Sequence, residues 1–498
     1  MERLERLFSA AVLIFLLGAP AQHPAASAQT ASPYADDSSK LTRALDARLG
    51  SLLPDERIAI IVALQPQPRL RVPAATLPTD RASIVVSQLK AATLRSQRDI
   101  RDWLRSADIA PGVAEVQSLW IANALALEAT PKVIGALAAR SEVGRIALDE
   151  VTIVPVGVPG ATASDSAPAA NLSMIGVPAL WDLGITGQGV VVATVDTGVD
   201  ETHPELLSRW RGGVNSWFDP YDEHPVNPTD LQGHGTWVTG IMVAGDDSGT
   251  ALGVAPGAQW IGAKIFDDRG SATRSAIHET FQWLLNPDGD PETADVPDVV
   301  VNAWSFANTA CDLEFQPDLL ALRAAGILPV FAGGNYGPNP STDVSPANNP
   351  AAFAVGATDN HDIIYIDSSR GPSACGEAST IYPEIVAPGV AITTTERYGL
   401  YTTQTGTSLS APHVVGALAL LLSAYPGLSA ETQSFLLLST ATDLGTGGAD
   451  NTFGYGRLDV RAAYEAYEPP PVFRLYLPLY TMPKSRYQIY LPVVSQAP

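Results

Sequence analysis

The stretch Gly406-Thr407-Ser408-Leu409-Ser410-Ala411-Pro412-His413 places a serine at the start of a run of small and apolar residues that continues to Leu422. This run predicts a buried helix with Ser408 at its N-terminus. A helix N-terminus carries unpaired backbone N–H groups and a partial positive charge. A serine there lies beside donors that can hold an oxyanion, provided that a base is within reach.

Two earlier stretches offer that base and its partner. They are Val195-Asp196-Thr197-Gly198-Val199-Asp200 and Gly233-His234-Gly235-Thr236. His234 stands between two glycines, which lets neighbouring backbone approach the ring closely. A serine hydroxyl is a poor nucleophile unless a base takes its proton during the attack.

In the chain order Asp, His, Ser, these stretches resemble the subtilisin-like serine proteases, or subtilases, and their details are similar to the bacillopeptidase F-like branch. The stretch Phe331-Ala332-Gly333-Gly334-Asn335 lies where that family keeps its oxyanion-hole asparagine. The resemblance runs from about Val177 to Tyr467.

The resemblance implies four catalytic roles. Ser408 is the nucleophile, and His234 is the base that later protonates the leaving amine. Asp196 fixes the imidazole tautomer, and the Asn335 amide joins the Ser408 N–H in stabilising the oxyanion. This chemistry requires no cofactor.

The other histidines are not expected to act as the base. We expect His203 to be structural and His413 to pack on the helix after Ser408. His23 lies in an N-terminal export segment, and we expect the histidines in polar stretches to be solvated, namely His224, His278 and His361.

The resemblance also implies a substrate-binding strand. Relatives line the cleft with a Ser-x-Gly-type strand after an asparagine, whereas this chain reads Val301-Asn302-Ala303-Trp304-Ser305-Phe306. The two large rings are expected to narrow or reshape the pocket for the residue before the cut. The residues expected to bind substrate are Trp304, Ser305, Phe306, Gly333 and Gly334.

Continuous apolar runs predict the fold of this region. The runs Val190–Val195, Val299–Val301 and Ile327–Phe331 are typical of strands buried on both faces of a parallel sheet. With helices between them they indicate a doubly wound α/β fold. Active sites in such sheets lie beyond the carboxyl ends of strands, where Asp196 and Asn335 fall.

Four domains are predicted along the chain. Residues 1–28 read as a signal peptide, with an apolar core too short to span a bilayer and the cleavage site Ala26-Ser27-Ala28; an uncleaved anchor is the alternative. Residues 29–160 read as a small ferredoxin-like α+β propeptide that inhibits the enzyme, and 161–467 as the catalytic domain. The Gly/Pro/Ala/Ser-rich stretch from Gly157 to Ala170 is a linker, with the maturation cut within or just before it.

The Pro-rich tail, 468–498, contains two similar pieces, Leu475–Leu479 and Ile489–Val493. It is either a docking or surface-retention tag or a segment packed on its own domain. No apolar run after the signal reaches spanning length, so no transmembrane segment is expected in a protein that is secreted, extracellular or associated with the cell surface.

Charge and cysteines limit the possible partners. The formal net charge of −22 argues against nucleic acid, which requires basic patches. Cys311 and Cys375 fit either a disulfide in an oxidising compartment or two buried thiols. Glu205 stands where some relatives have a calcium ligand, but calcium takes six to eight oxygens, so structural calcium stays an open expectation.

These features predict a secreted serine endopeptidase that acts on proteins or peptides and is made as an autoprocessed zymogen. The alternative is a catalytically inactive subtilase scaffold that binds a surface. An acid-active sedolisin is disfavoured, because that branch has glutamate and aspartate at the positions of His234 and Asn335.

Overall fold

The computed structural model describes residues 40–156, 169–246, 249, 251–376 and 379–468. They form two units, the N-terminal unit at 40–156 and the second unit at 169–468. The predicted signal peptide, most of the predicted linker and nearly all of the predicted tail lie outside the described residues.

The N-terminal unit is an α+β layer. Its strands are β1 (Ile58–Leu64), β2 (Val113–Leu119), β3 (Ala124–Ala129) and β4 (Val143–Leu148). Its helices are α1 (Arg43–Leu49), α2 (Pro78–Ser96), α3 (Arg98–Leu104) and α4 (Pro131–Ala138), with a 3₁₀ turn at Ala110–Gly112. The sheet has the antiparallel order β2-β3-β1-β4, which is the ferredoxin-like arrangement expected from the sequence. Helix α1 was not expected; it forms around the buried Leu45.

Strand β1 is apolar on both faces. Ile60 and Val62 belong to a core shared with α3 and α4, whereas Ile61 and Ala63 belong to a core that extends into the second unit. Because side chains alternate along a strand, the N-terminal sheet buries one face within its own unit and the other against its neighbour. Helix α2 packs on α10 (Gln316–Ala325) of the second unit.

Two short strands follow β4 and lead to the second unit. They are β5 (Glu150–Val151) and β6 (Ile153–Pro155). The strands of the second unit are β7 (Val191–Asp196), β8 (Trp217–Phe218), β9 (Gln259–Lys264), β10 (Ala272–Thr273), β11 (Val299–Asn302), β12 (Trp304–Phe306), β13 (Leu328–Ala332), β14 (Phe353–Thr358), β15 (Ile385–Pro388), β16 (Ile392–Glu396) and β17 (Leu400–Gln404). Besides α10, its helices are α5 (Ala169–Met174), α6 (Val177–Trp181), α7 (Pro204–Leu207), α8 (His234–Val243), α9 (Arg274–Leu284), α11 (Thr407–Ala424), α12 (Ala430–Ser439) and α13 (Val460–Ala466).

Seven strands form the central sheet in the order β15-β14-β13-β11-β7-β9-β8, and every neighbouring pair is parallel. Side chains of α8, α11, α12 and α13 cover one face, and side chains of α9 and α10 cover the other. The predicted doubly wound α/β fold is therefore confirmed. Strands β13, β11 and β7 are neighbours, so their carboxyl ends meet at one edge of the sheet.

Helix α11 runs through the core of the second unit. It is long and apolar enough to cross a membrane by composition alone, but 89% of it is buried inside the structure. Its burial identifies it as the central core helix that the sequence predicts.

The two cysteines form a disulfide, which decides between the alternatives left open by the sequence. The Cys311 and Cys375 sulfurs lie 2.09 Å apart and join positions separated by 64 residues. Closing a loop of that length stabilises the fold by about 4 kcal/mol in the chain-entropy view. The bridge ties the loop after β12 to the chain before β15.

Candidate active site

Asp196 and His234 form a buried pair at the carboxyl edge of the sheet. The His234 Nδ1–H donates to Asp196 Oδ1 at 2.7 Å, and the two residues are 5% and 0% exposed. The same carboxylate oxygen accepts the Thr197 backbone N–H at 2.7 Å. This bond places the imidazole proton on Nδ1, so Nε2 is the nitrogen with a free lone pair.

Glycine makes this approach possible. His234 is the first residue of α8, and the helix lies directly on the loop that follows β7. A Cβ at Gly235 would come within 2.0 Å of the Gly198 carbonyl oxygen and 3.1 Å of the Asp196 Cβ. Any side chain at this position would push His234 away from its carboxylate partner.

Ser408 is the second residue of α11 and is fully buried. Its Oγ and the His234 Nε2 are both buried, and neither has a hydrogen-bond partner among the described residues. The structure therefore does not join these two atoms by a hydrogen bond. Leu409 packs in a small apolar cluster with Ile241 of α8, which holds the serine-bearing helix against the histidine-bearing helix.

Thr407 orients the half-buried Asn335. The Asn335 Oδ1 accepts the Thr407 N–H and the Thr407 hydroxyl, both at 3.1 Å. The same hydroxyl oxygen accepts the Gly334 N–H at 3.0 Å. Because Oδ1 is occupied, the Asn335 amide nitrogen is the end of the side chain that remains to donate to an oxyanion.

The Ser408 backbone N–H, the second predicted oxyanion donor, already holds a carbonyl. It donates to the Val156 oxygen at 3.1 Å. Val156 is the last described residue of the N-terminal unit. The structure thus places a peptide carbonyl against the backbone donor of the predicted nucleophile.

Strand β12, the predicted substrate-binding strand, pairs antiparallel with β6. Trp304 and Phe306 are buried and pack around Phe315, with ring centroids 6.0 and 5.9 Å from it. They share their buried cluster with Ile153, whereas Val156 lies in the cluster that contains Ala303. The backbone of β12 pairs with β6, and its two large rings pack in the cluster of Ile153. The rings therefore do not narrow the position of Val156.

The two predicted cleft glycines are close to Asn335 in the chain, and each has a structural constraint. Gly334 has a φ of 96°, and a Cβ there would lie 2.7 Å from the Ser369 Oγ. The Gly333 carbonyl accepts the hydroxyl of the fully buried Tyr382 at 2.5 Å. No local sequence pattern signals the contacts of Tyr382 and Thr407 with this segment, because both depend on tertiary packing.

The remaining histidines lie outside this pair. His413 is buried as predicted; its Nδ1 donates to the Leu409 carbonyl at 2.7 Å, and burial lowers its pKa to about 4. His203 bonds the Glu205 N–H and the Leu400 carbonyl oxygen, which fits a structural role. His224 is half-buried beside Asp268, and His361 is exposed.

The expectation that His278 is solvated is wrong. Its ring is fully buried, and Nδ1 lies 2.8 Å from Asp318 Oδ1. Burial alone would lower the pKa, but Asp318 and Glu314 raise it to about 10. The residue lies on the buried face of amphipathic α9, where paired carboxylates replace water.

Glu205 is buried, and its Oε1 accepts the Tyr401 hydroxyl at 3.0 Å. Among the described residues, no three His, Cys, Asp or Glu side chains are grouped to hold a metal ion.

Comparison with known proteins identifies the family to which this fold belongs. The subtilase family matches residues 187–456. Bacillopeptidase F of Bacillus subtilis (strain 168) is 34% identical over 419 residues, which are 78% of this chain and 28% of that protein. Subtilisin E of the same strain is 34% identical over 59% of this chain and 70% of its own length. Subtilisin of Bacillus pumilus is 33% identical over 59% of this chain and 97% of its own.

The chain belongs to the subtilase family. Membership and similarity to subtilisins support a serine protease, as the sequence predicts. The chain spans only 28% of the length of bacillopeptidase F, so that protein's complete architecture does not transfer to it.

Proposed function

We propose that this chain is a secreted serine endopeptidase that hydrolyses peptide bonds through an acyl-enzyme on Ser408. The main support is the buried Asp196–His234 hydrogen bond at the sheet edge reached by the N-terminus of α11. As the Ser408 Oγ attacks a peptide carbonyl carbon, the His234 Nε2 accepts its proton and then delivers it to the leaving amine. Water, activated by the same nitrogen, then hydrolyses the ester.

The Ser408 N–H and the Asn335 amide stabilise the charge that develops on the carbonyl oxygen. Thr407 holds Asn335 through two bonds to its oxygen, so the donating end needs no reorientation during the reaction. Asp196 stabilises the imidazolium that forms on His234. Substrate backbone pairs with β12, the strand that contains Trp304, Ser305 and Phe306.

The proposal includes synthesis as a zymogen, with the predicted propeptide at 29–160 acting as an intramolecular inhibitor. Arg145 of the N-terminal unit lies 3.2 Å from Asp312 and 3.1 Å from Glu314 of the second unit. Asp149 accepts the Ser275 N–H at 2.8 Å and its hydroxyl at 2.7 Å, at the first turn of α9. The unit is thus docked on α9 and on the loop before α10, while its last strand, β6, lies against β12.

Secretion is proposed from two features. The chain begins with a segment that reads as an export signal, and the Cys311–Cys375 disulfide suits an oxidising compartment. No feature of the described residues favours the alternative of an inactive surface-binding scaffold.

The test compares the full chain with Ser408→Ala, and Ser410→Ala serves as a matched control in the same helix. Wild type and Ser410→Ala should hydrolyse a peptide p-nitroanilide and separate the N-terminal unit. Ser408→Ala should lose about 10⁶-fold in kcat, the size documented for loss of the nucleophile in subtilisin, and remain uncut. A Ser408→Ala chain that still hydrolyses peptide or processes itself would contradict the proposal.

A further inference from the structure

The last residues of the N-terminal unit are held as an extended chain by strands of the second unit. Val151 pairs with Ala272 of β10, and the pairing is antiparallel. Further on, Val154 pairs with Ser305 of β12, also antiparallel. Seven consecutive residues, 150–156, therefore run from the pairing with β10 to the pairing with β12.

This extended segment ends at the predicted nucleophile. The Val156 N–H donates to the Ala303 carbonyl oxygen at 2.9 Å, which continues the pairing with β12. The Val156 carbonyl oxygen accepts the Ser408 N–H at 3.1 Å. Two main-chain bonds, one on each side of the Val156 α-carbon, thus fix its carbonyl carbon beside the serine.

We propose that Ser408 cuts the Val156–Gly157 peptide bond of its own chain, and that the site selects a small branched aliphatic residue where Val156 lies. This rests on the proposed function. The Ser408 Oγ forms a bond to the Val156 carbonyl carbon, the C–N bond to Gly157 breaks, and the Oγ proton passes through His234 to the new amine of Gly157. Water then releases the Val156 carboxylate and restores the hydroxyl.

The side-chain preference follows from the two anchors of the segment. Val156 is 4% exposed, so its side chain is enclosed, and its backbone N–H bonds Ala303, a residue with a small side chain. Ile153 is 6% exposed, in the cluster with the large rings of Trp304 and Phe306. A ring in place of Val156 would overpack its surroundings.

Pro155 favours the extended backbone that pairs with β12, even before the segment binds. The proline ring fixes its own φ and also biases Val154 towards extended backbone. Substrates with proline before the cut residue are therefore preorganised for pairing with β12.

The first experiment locates the cut. Mass spectrometry of purified wild type should find a new N-terminus at Gly157. Val156→Ile should process at the wild-type rate, whereas Val156→Asp should slow processing tenfold or more, because a carboxylate would be buried without a partner. A mature form that begins at another residue would overturn the proposed bond.

The second experiment is independent of whether these variants fold. The processed wild-type enzyme is given acetyl-Ile-Val-Pro-Val-p-nitroanilide and the matched peptide with Phe in place of the last Val. We expect kcat/KM to be about tenfold or more higher for the Val peptide. Equal or better cleavage of the Phe peptide overturns the preference.

These failures are distinguishable from failure of the proposed function. An enzyme that reacts with a fluorophosphonate at Ser408 but cuts elsewhere, or prefers Phe, overturns only this inference. A chain that neither reacts at Ser408 nor hydrolyses either peptide overturns both.

Discussion

The two sheets of this molecule are buried in different ways. The parallel sheet of the second unit is covered on both faces by helices of its own unit. The antiparallel sheet of the N-terminal unit covers one face with α3 and α4, and needs the second unit to bury the other. One sheet is complete without a neighbour, whereas the other is completed by docking.

The polar contacts at the site are more deeply buried than those that hold the N-terminal unit. The side chains of Asp196 and His234 are 0% and 6% exposed, so water does not weaken their hydrogen bond. The docking contact between Arg145 and Asp312 has both side chains 23% exposed. Partly hydrated ion pairs are screened by salt and contribute modestly. The difference suits the proposal that the site persists while the N-terminal unit departs after cleavage.

The largest effect is expected when the buried Asp196–His234 pair is broken. Asp196→Asn should lower kcat about 10⁴-fold, the loss documented for the equivalent change in a serine-protease triad, because the asparagine favours the wrong imidazole tautomer. The full chain should still dock its N-terminal unit. Peptide hydrolysis measures kcat, and circular dichroism measures whether the fold is kept. The exposed Asp182→Asn is the control. Retained activity in Asp196→Asn would show that the pair has no catalytic role.

Loss of the amide donor should have the next largest effect. Asn335→Ala should lower kcat by about 10²–10³ with little change in KM, as documented for subtilisin's own oxyanion asparagine. Steady-state kinetics on the processed enzyme measure this split. A change confined to KM would instead assign Asn335 to ground-state substrate binding.

The next prediction concerns the stability of the second unit and the carboxyl group of Glu384. Burial raises the pKa of Glu384 to about 7 from an ordinary 4.5, although its carboxylate accepts the Ala354 N–H. Below pH 4.5 the group is protonated in both states; as pH rises to about 7 the unfolded chain ionises first, so stability falls.

Glu384→Gln should therefore stabilise the Ser408→Ala chain by about 2 kcal/mol at pH 8 and by almost nothing at pH 4. Denaturant unfolding at the two pH values measures the difference. An equal effect of the substitution at both pH values would contradict a raised pKa of Glu384 in the folded chain.

The smallest effect is expected when a contact that docks the N-terminal unit is removed. Burial alone would raise the pKa of Glu314, but Arg145 and His278 hold it below the ordinary value. Arg145→Ala removes the docking cation, and because Arg145 is partly hydrated the expected cost is about 1–2 kcal/mol.

The cleaved N-terminal unit should then leave about tenfold faster, which shortens the lag before peptidase activity appears. Arg140→Ala is the control, since Arg140 pairs with Glu142 inside the same unit. Equal lags in both variants would mean that Arg145 does not hold the unit in place.

The parallel sheet could be predicted because its strands are continuous apolar runs, such as Val299–Val301. Glycines that flank His234 and follow Asp196 mark positions where backbone must come close, and the structure brings these two side chains into hydrogen-bond contact. These signals are local, so one sequence contains them.

Other features depend on packing between distant parts of the chain. The burial of His278 requires Asp318 of another helix, and the inward packing of Trp304 requires Phe315 and Phe331. The Val156 carbonyl meets the Ser408 N–H only because two units dock. No local pattern in the sequence encodes these contacts.

The most direct measurement is the site of fluorophosphonate attachment in the processed wild-type enzyme. Peptide mapping by mass spectrometry should find one adduct, on Ser408, and none in the Ser408→Ala chain. An adduct on another residue, or labelling that survives Ser408→Ala, would contradict the account.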